Sequence, residues 1–369
     1  MRKQGSIKQI TQKELARQLG LSRSTVAAAL NPNSTVSLLP ETRKRVLDTA
    51  QKLGYRPDPH AKAIRSGRSG FIGLLQFGGP TEIAAERASA LTRSFADLGF
   101  HLLTLDANWF ENGLLSACEN LINLRVEGVI LGGMNRNAHY LAIDRFHKAG
   151  IPMVAMSGHR LAAIPQVRID AALAIRQLTG HLLKSHRKHL VLITFQPQKD
   201  SSQGYTWAAE ERISGFTQGI LQAGGELVSL TAPSLPDRIQ GRVLTIPLTI
   251  QHQHSPDFGV YAARQLLKQK KLPDAVLCSN DEWALGMLAE FQQNNVSVPA
   301  QVAVTGFDGL NFGAYLTPSL TTVQQPLKEM AKAATSLLHQ QIQNQPLPPD
   351  LLITVPGKIL LRNSSRACL

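Results

Sequence analysis

The sequence predicts two unlike parts: a small all-α head built on a helix-turn-helix, then a large two-lobed α/β body of parallel, doubly wound sheets. Three observations predict it. Positive charge is concentrated at one end, with 14 Lys+Arg against 4 Asp+Glu in residues 1–70 and 25 against 22 in the rest of a chain whose total formal charge is +13. Two short amphipathic helical patterns around a Gly turn occupy residues 11–30. From Phe71 onward, short apolar runs alternate with longer helical stretches. With 369 residues, 43% of them hydrophobic, the chain can bury two or three compact units.

The head reads as three helices. Thr11-Gln-Lys-Glu14 is a capping box, with Leu15, Ala16 and Leu19 as the apolar stripe behind it. Gly20-Leu21 breaks that helix and Ser22 caps the next, in which Val26 and Leu30 face inward while Arg23, Ser24, Ala27 and Ala28 face outward. Such a helix fits the major groove of duplex DNA. Arg23, near its N-terminus, can donate twice to a guanine edge, and Ser24 can bond to several bases. The third helix has Pro40 in its first turn, Val46, Leu47, Ala50 and Leu53 as its apolar face, and Gly54 as its stop. Arg43, Lys44 and Arg45 on its other side are expected to neutralise phosphates. Residues 55–68 contain Pro57 and Pro59, which forbid a helix before His60, so the segment reads as a hinge.

In the body, strands are expected at Phe71–Leu75, His101–Leu105, Gly128–Leu131, Pro152–Met156, Leu190–Ile193, Ala275–Cys278 and Val302–Thr305. Short buried runs so widely spaced imply parallel strands with crossover helices, and two sets of them imply two lobes. Ligands bind where such strands end, so a cleft between the lobes is the expected site. Gln76 and Phe77 follow the first strand and are candidates to hydrogen-bond or stack on a ligand there.

Glu14-Leu-Ala-Arg-Gln-Leu-Gly-Leu-Ser-Arg-Ser-Thr-Val, Glu41-Thr-Arg-Lys-Arg-Val and Leu53-Gly-Tyr-Arg-Pro are joined in the body by Glu211-Arg-Ile-Ser-Gly-Phe, Ser279-Asn-Asp-Glu-Trp-Ala-Leu-Gly, Gly306-Phe-Asp and Leu320-Thr-Thr-Val-Gln-Gln-Pro. Through these motifs the chain resembles the lactose repressor/galactose repressor family over essentially its whole length. The resemblance implies a periplasmic-binding-protein-like body and a DNA-binding transcriptional regulator, by default a repressor. It implies that Ser22, Arg23, Ser24, Thr25 and Asn31 lie at the operator, that Tyr55 and Ala61 support backbone or minor-groove contact, and that Ile64 stands where the family has a leucine wedge that kinks the centre of a palindrome. It also implies that Arg212, Asn280, Asp308 and Gln325 line a cleft for a small-molecule effector: a sugar, a nucleoside or a related metabolite.

The sequence departs from the family pattern in places. Ala27 and Ala28 stand where a serine and a larger polar residue are common, and Ala28 is expected to offer a methyl contact to thymine. Residues 31–42 form a stretch about two residues longer than usual, and Asp58 and Pro59 replace the common Asn and Ala. Met156-Ser157-Gly-His159 replaces an aspartate at the end of the Pro152 strand, so Ser157 is the candidate to meet the effector there.

The expected domains are 1–57 for the head, 58–70 for the hinge, 71–163 with 325–355 for the first effector subdomain, and 164–324 with 356–369 for the second. Met1–Ile10 has no apolar core stretch of a signal peptide, and no window approaches a membrane span, so the expected location is the cytoplasm. Cys118, Cys278 and Cys368 fit neither a disulfide framework nor a zinc site, and no metal or cofactor is expected. The expected partners are duplex DNA, a second copy of the chain and the effector. Two rivals share the body: a solute-binding receptor, which would have no use for the basic head, and an enzyme. No GxSxG elbow or phosphate-cradling Gly-Lys-Ser/Thr loop appears.

Overall fold

The computed structural model describes residues 10–31, 34–55, 68–76, 81–107, 113–133, 136–157, 161, 163–195, 206–235, 237–246 and 255–366. It divides into two compact units, Met1–Ser69 and Gly70–Leu369.

In the head, α1 (Gln12–Leu19) starts on the predicted capping box: the Glu14 N–H donates to Thr11 Oγ1 at 3.3 Å and the Thr11 N–H donates to Glu14 Oε2 at 2.8 Å. It stops at Gly20, whose φ of 67° is the left-handed turn that glycine adopts without strain. Helices α2 (Arg23–Leu30) and α3 (Pro40–Lys52) follow. Leu15, Ala16, Val26, Ala29, Val46 and Ala50 form the core. Two expectations change. Ala28 is only 8% exposed, while Ala29 joins Val26 in the core and Leu30 packs half-buried against it as expected. The eight-residue α2 packs against both α1 and α3, so its buried arc is wider than one stripe and takes in the methyl expected to face outward. Leu47 is 46% exposed, because Val46 and Ala50 alone, one turn apart, define the inner face of α3.

The body contains two sheets. Strands β1 (Phe71–Gln76), β2 (His101–Asp106), β3 (Gly128–Gly132), β4 (Met153–Met156), β5 (Gln166–Asp170) and β12 (Leu352–Pro356) form an all-parallel sheet in the order 12-5-4-3-1-2. The second sheet has the order 13-11-10-9-6-8-7. It contains β6 (His189–Phe195), β7 (Glu226–Leu227), β8 (Gln240–Ile246), β9 (Ala275–Cys278), β10 (Ala303–Asp308), β11 (Thr321–Gln324) and the antiparallel β13 (Lys358–Leu360). Helices α4 (Glu82–Ala96), α5 (Gly113–Asn123), α6 (Arg136–Lys148) and α11 (Leu327–Ile342) pack on the first sheet. Helices α7 (Ala171–Lys184), α8 (Thr206–Gln222), α9 (Asp257–Leu267) and α10 (Asp281–Gln293) accompany the second.

The central strands are buried on both faces, which is why they read as unbroken apolar runs. One face of each sheet joins a shared core that runs from Ile72 and Val154 through Leu190 and Leu277 to Met330. The opposite faces form separate clusters, around Leu121 and Phe146 in lobe 1 and around Trp283 and Phe291 in lobe 2.

The chain crosses between sheets three times: after Asp170, between Gln324 and Leu327, and at Gly357. A Cβ on Gly357 would lie 2.9 Å from Val323 Cγ1 of one sheet and 3.0 Å from Ile169 Cδ1 of the other, so this crossing runs through the seam itself. Strand β5 pairs with β4 and β12, which puts residues 166–170 in the first sheet, whereas the sequence boundary at 163/164 gives them to the second lobe. The reason is register: Val167 and Ile169 face the shared core of lobe 1 before the chain turns away at Ala171.

Helices α9 and α10 cross at two glycines. A Cβ on Gly259 would overlap the Trp283 carbonyl oxygen, and one on Gly286 would overlap that of Pro256. Gly259→Ala and Gly286→Ala should each lower body stability by about 3 kcal/mol, since the obstructing atoms are backbone. Gly180→Ala, inside α7 with open space around it, should be neutral or stabilising by up to about 1 kcal/mol. Urea midpoints at unchanged slope measure both effects.

Candidate functional site

In the head, Ser22 Oγ accepts from the Thr25 N–H at 3.0 Å and lies 2.7 Å from Ser24 Oγ and 2.8 Å from Thr25 Oγ1. These contacts gather three hydroxyls over the positive end of the α2 dipole, a natural seat for an anion. Arg23 is exposed beside them and makes no hydrogen bond or ion pair among the described residues. Asn31 is exposed just beyond α2, and Tyr55 packs half-buried against the head core. Ala61 and Ile64 lie outside the described residues.

Two of the three basic residues in the Arg43-Lys44-Arg45 run of α3 have a structural task. Arg43 Nη1 donates to the carbonyls of Asn31 (3.2 Å) and Ala29 (3.4 Å), and Arg45 Nη2 donates to that of Leu19 (3.3 Å). Both guanidinium groups satisfy carbonyls at the C-terminal ends of α2 and α1, where positive charge is favoured. Lys44 remains exposed on the same helix.

In the body, the candidate residues come to the C-terminal ends of parallel strands. Gln76 ends β1, 8% exposed, with no protein partner for its Oε1. Ser157 follows β4 at φ 76° and is held by its N–H donating to Val167 O at 2.9 Å. Phe77 lies outside the described residues. From lobe 2, Asn280 caps α10 by accepting the Trp283 N–H at 2.8 Å, while its Nδ2 finds no protein acceptor. Asp308 ends β10 at φ 125° and is 4% exposed; Gln325 Nε2 donates to its Oδ1 at 2.6 Å. Arg212 on α8 places its guanidinium carbon 4.2 Å from the centre of the Phe307 ring and donates from Nη1 to Ala208 O at 3.0 Å.

Arg212 is 7% exposed and among the described residues has no carboxylate within ion-pairing distance, an arrangement that typically costs several kcal/mol of desolvation. Burial pulls its pKa down, against the pull of Asp308 and Glu211. Burial, then the neighbouring Glu282 and Asp281 carboxylates, push Asp308 well above the usual carboxylate range, against Arg212 and Gln325.

Several residues at the same place carried no sequence signal. Asp281, fully buried, accepts from Thr322 Oγ1 at 2.5 Å and the Leu310 N–H at 2.7 Å. Arg87 of α4 is 7% exposed, with Nη1 beside Gly132 and Gly133 at the end of β3. Among the described residues, two polar side-chain contacts span the lobes. Arg168 Nη1 of β5 pairs with Glu211 Oε1 of α8 at 2.9 Å, and Asn311 Nδ2 donates to Glu86 Oε1 of α4 at 3.3 Å. Burial raises the pKa of Glu211, opposed by Arg168, and raises that of Glu86, reinforced by Glu82. Glu211 and Asp281 fall inside the family motifs but are not the residues singled out there, and nothing in spacing distinguishes Glu86, Arg87 or Arg168 from solvated surface charges. A crevice of about 320 Å³ lined by Leu288, Asn295, Val298 and Pro318 lies at the opposite, N-terminal ends of the lobe 2 strands.

A periplasmic binding protein-like domain model matches residues 179–365. Catabolite control protein A of Priestia megaterium is 24% identical over 362 residues, 97% of this chain and 99% of that protein. An HTH-type transcriptional regulator of Mycobacterium tuberculosis is 28% identical over 334 residues, 88% of this chain and 89% of that one. The lac repressor dimer bound to operator and an anti-inducer superposes with a TM-score of 0.80 at 19% identity, covering 98% of this chain and 100% of that one. The chain belongs to the lactose repressor/galactose repressor family. Like the other members named, this family protein is a transcriptional regulator and not an enzyme. No helix among its described residues is long and apolar enough to cross a membrane.

Burial raises the Asp281 pKa to about 6, against the hydrogen bonds from Thr322 and Leu310 that lower it. Such an acid holds its proton more firmly folded than unfolded. Its contribution to stability is therefore greatest below the unfolded value near 4 and declines as pH rises towards about 6. Relative to Asp281→Asn, the parent should lose roughly 2–3 kcal/mol of stability between pH 4 and pH 7. Urea unfolding at both pH values reads this difference, and a pH-independent gap between the two proteins would reject the assignment.

Proposed function

We propose that the chain is a cytoplasmic repressor that binds a palindromic operator as a homodimer, with its affinity set by a small-molecule effector between the lobes. The observation that carries the reading is Arg23: an exposed, unengaged guanidinium at the N-terminus of a helix that the head holds rigidly, within a segment carrying most of the chain's net charge. In this reading Arg23 reads a guanine edge, Ser24 contributes adaptable hydrogen bonds, and Ser22, Thr25 and Asn31 contact the backbone or base edges. Tyr55, Ala61 and Ile64 belong to the hinge-proximal contacts. Ala28 contributes a methyl only where its narrow exposed edge reaches the groove.

The effector reading rests on the strand ends. Gln76 from lobe 1 and Arg212 and Asn280 from lobe 2 each keep a buried polar atom with no partner among the described residues, Ser157, Asp308 and Gln325 add further polar groups, and Phe77, outside the described residues, is assigned a stacking role. The lac repressor neighbour is a dimer on its operator, and a CelR neighbour (TM-score 0.66, 23% identity) is a complex with cellobiose. Effector binding changes lobe closure and thereby the alignment of two heads on the palindrome.

Arg23→Ala should remove about 1–3 kcal/mol of discrimination between a selected operator and a variant of it at the contacted guanine. Fluorescence anisotropy measures it, and unchanged discrimination would refute the role of Arg23. Lys44→Gln should reduce the salt slope of operator binding by about 1, as loss of a phosphate contact requires. Arg43→Met should instead lower the thermal midpoint of the head by removing the donor at the end of α2.

A further inference from the structure

The end of lobe 2 opposite the cleft carries a charge pattern that neither operator nor effector needs. Strands β7, β8, β6 and β9 are neighbours in the sheet, and their N-terminal ends lie side by side. The connections entering them, with the helix ends just before, hold Lys184, Arg187, Lys188, Arg238, Lys268, Lys270 and Lys271 against Glu226, Asp237 and Asp274. Seven positive groups against three negative is a larger surplus than that of residues 71–369 as a whole, 25 against 22.

Local structure explains only part of this. Positive charge complements the C-terminal end of a helix, which accounts for Lys184 on α7 and Lys268 at the end of α9. Arg187 is spent within the fold, donating to the carbonyls of Asp274 and Pro299. Lys188 pairs with Asp237 at 3.8 Å. Arg238, Lys270 and Lys271 are exposed beyond any helix and, among the described residues, have no carboxylate partner. Helices α8 and α10 end on the same face with no basic residue in their last turns, so the dipole alone does not demand these charges.

Three leucines are exposed beside them: Leu221 in the last turn of α8, Leu227 on the edge strand β7, and Leu235 in the connection to β8. Leu235 is held in place. The His189 Nε2–H donates to its carbonyl at 2.9 Å, its own N–H donates to Gln240 Oε1 at 3.1 Å, and buried Arg242 donates to Ala232 O at 3.1 Å. A connection tied down at its leucine presents that side chain to solvent instead of folding it away.

We propose that this end of lobe 2 is a docking surface for an acidic, amphipathic segment of a second protein. Its carboxylates meet Arg238, Lys270 and Lys271, and its apolar side chains cover Leu221, Leu227 and Leu235. Nucleic acid phosphates would use the cations and leave the leucines in water. A flat anionic membrane would press on Glu226 and Asp237, which stand among the leucines, whereas a narrow segment passes between them.

The test titrates the full-length protein, its head occupied by a selected operator duplex, with a labelled synthetic peptide of about 16 residues carrying Leu and Glu on opposite faces of its helical repeat. Fluorescence anisotropy at about 0.15 M salt reads binding. Two control peptides replace every Glu by Gln or every Leu by Ser. The parent peptide should bind about tenfold more tightly than either control. Lys270→Glu with Lys271→Glu should weaken it about tenfold, and Leu235→Ser about fivefold, with operator affinity unchanged. If Leu235→Ser does not fold, the leucine-free peptide still reads the apolar contact. Equal binding of either control peptide, or full affinity in the double lysine variant, overturns the proposal. So does retention of a non-operator duplex, or of phosphatidylglycerol–phosphatidylcholine vesicles, that the double lysine variant loses while peptide binding stays weak in both proteins. The face lies at the other end of the strands from the cleft, so each of these failures leaves the operator and effector readings standing.

Discussion

One buried carboxylate fixes the floor of the second lobe. Asp281 begins α10 directly after β9, accepts the Leu310 N–H beyond β10, and accepts the Thr322 hydroxyl of β11. Three neighbouring strand ends are thereby pinned to one point. The chain leaving β10 is held through Asp308 at φ 125°, a backbone angle few non-glycine residues adopt, and its persistence requires such surrounding constraint. With that turn fixed, Gln325 reaches Asp308, and Phe307 presents its ring to Arg212. The candidate effector residues Asp308, Gln325 and Arg212 are thus oriented through a buried group that is not one of them. The cost of burying that group appears as its raised pKa, offset by the donors aimed at it.

The head shows the same division between residues that build and residues that face outward. Arg43 and Arg45 sit in a run of basic side chains that composition alone assigns to a polyanion, yet they close the carbonyl ends of α2 and α1. A three-helix unit with six fully buried core residues has little apolar area to spare, so interactions at helix ends carry weight there. Spending two arginines on helix ends leaves Arg23 and Lys44 as the exposed cations best placed on α2 and α3 to meet DNA. The positive field of the head serves association, whereas its specificity narrows to a few side chains.

Much of this was legible in the sequence because it rests on local rules. The capping box at Thr11, the Gly20 turn, Pro40 at the start of α3 and the unbroken apolar runs of β1, β3, β6 and β9 each state their structure within a few residues. Strands β5, β8, β11 and β12 were not legible. They carry Gln, Arg, Thr or Gly in short segments whose burial depends on neighbours far along the chain. Ala28 was misplaced because a one-stripe helix pattern cannot represent a helix wedged between two others. For the cleft, Arg212, Asn280, Asp308 and Gln325 stood out only through family motifs. Glu211 and Asp281 stand inside those motifs without being marked by them, Arg87 and Arg168 belong to none, and all four became visible only when the fold brought strand ends and helices together.

The position of the interlobe contacts bears on how one lobe senses the other. The lobes are joined by three chain crossings and by a core that both sheets share, so a change in their arrangement must shift packed side chains as well as the dihedrals of the crossings. Contacts that span the gap then set the balance between arrangements. Arg168–Glu211 is a mostly buried ion pair and Asn311–Glu86 an exposed, weak hydrogen bond, and each adjoins a buried arginine in sequence. Glu86 and Glu211, the two bridging carboxylates, stand on α4 and α8, so polar contact between the lobes is made from one helical turn at each side, and a change in either turn alters the balance between arrangements.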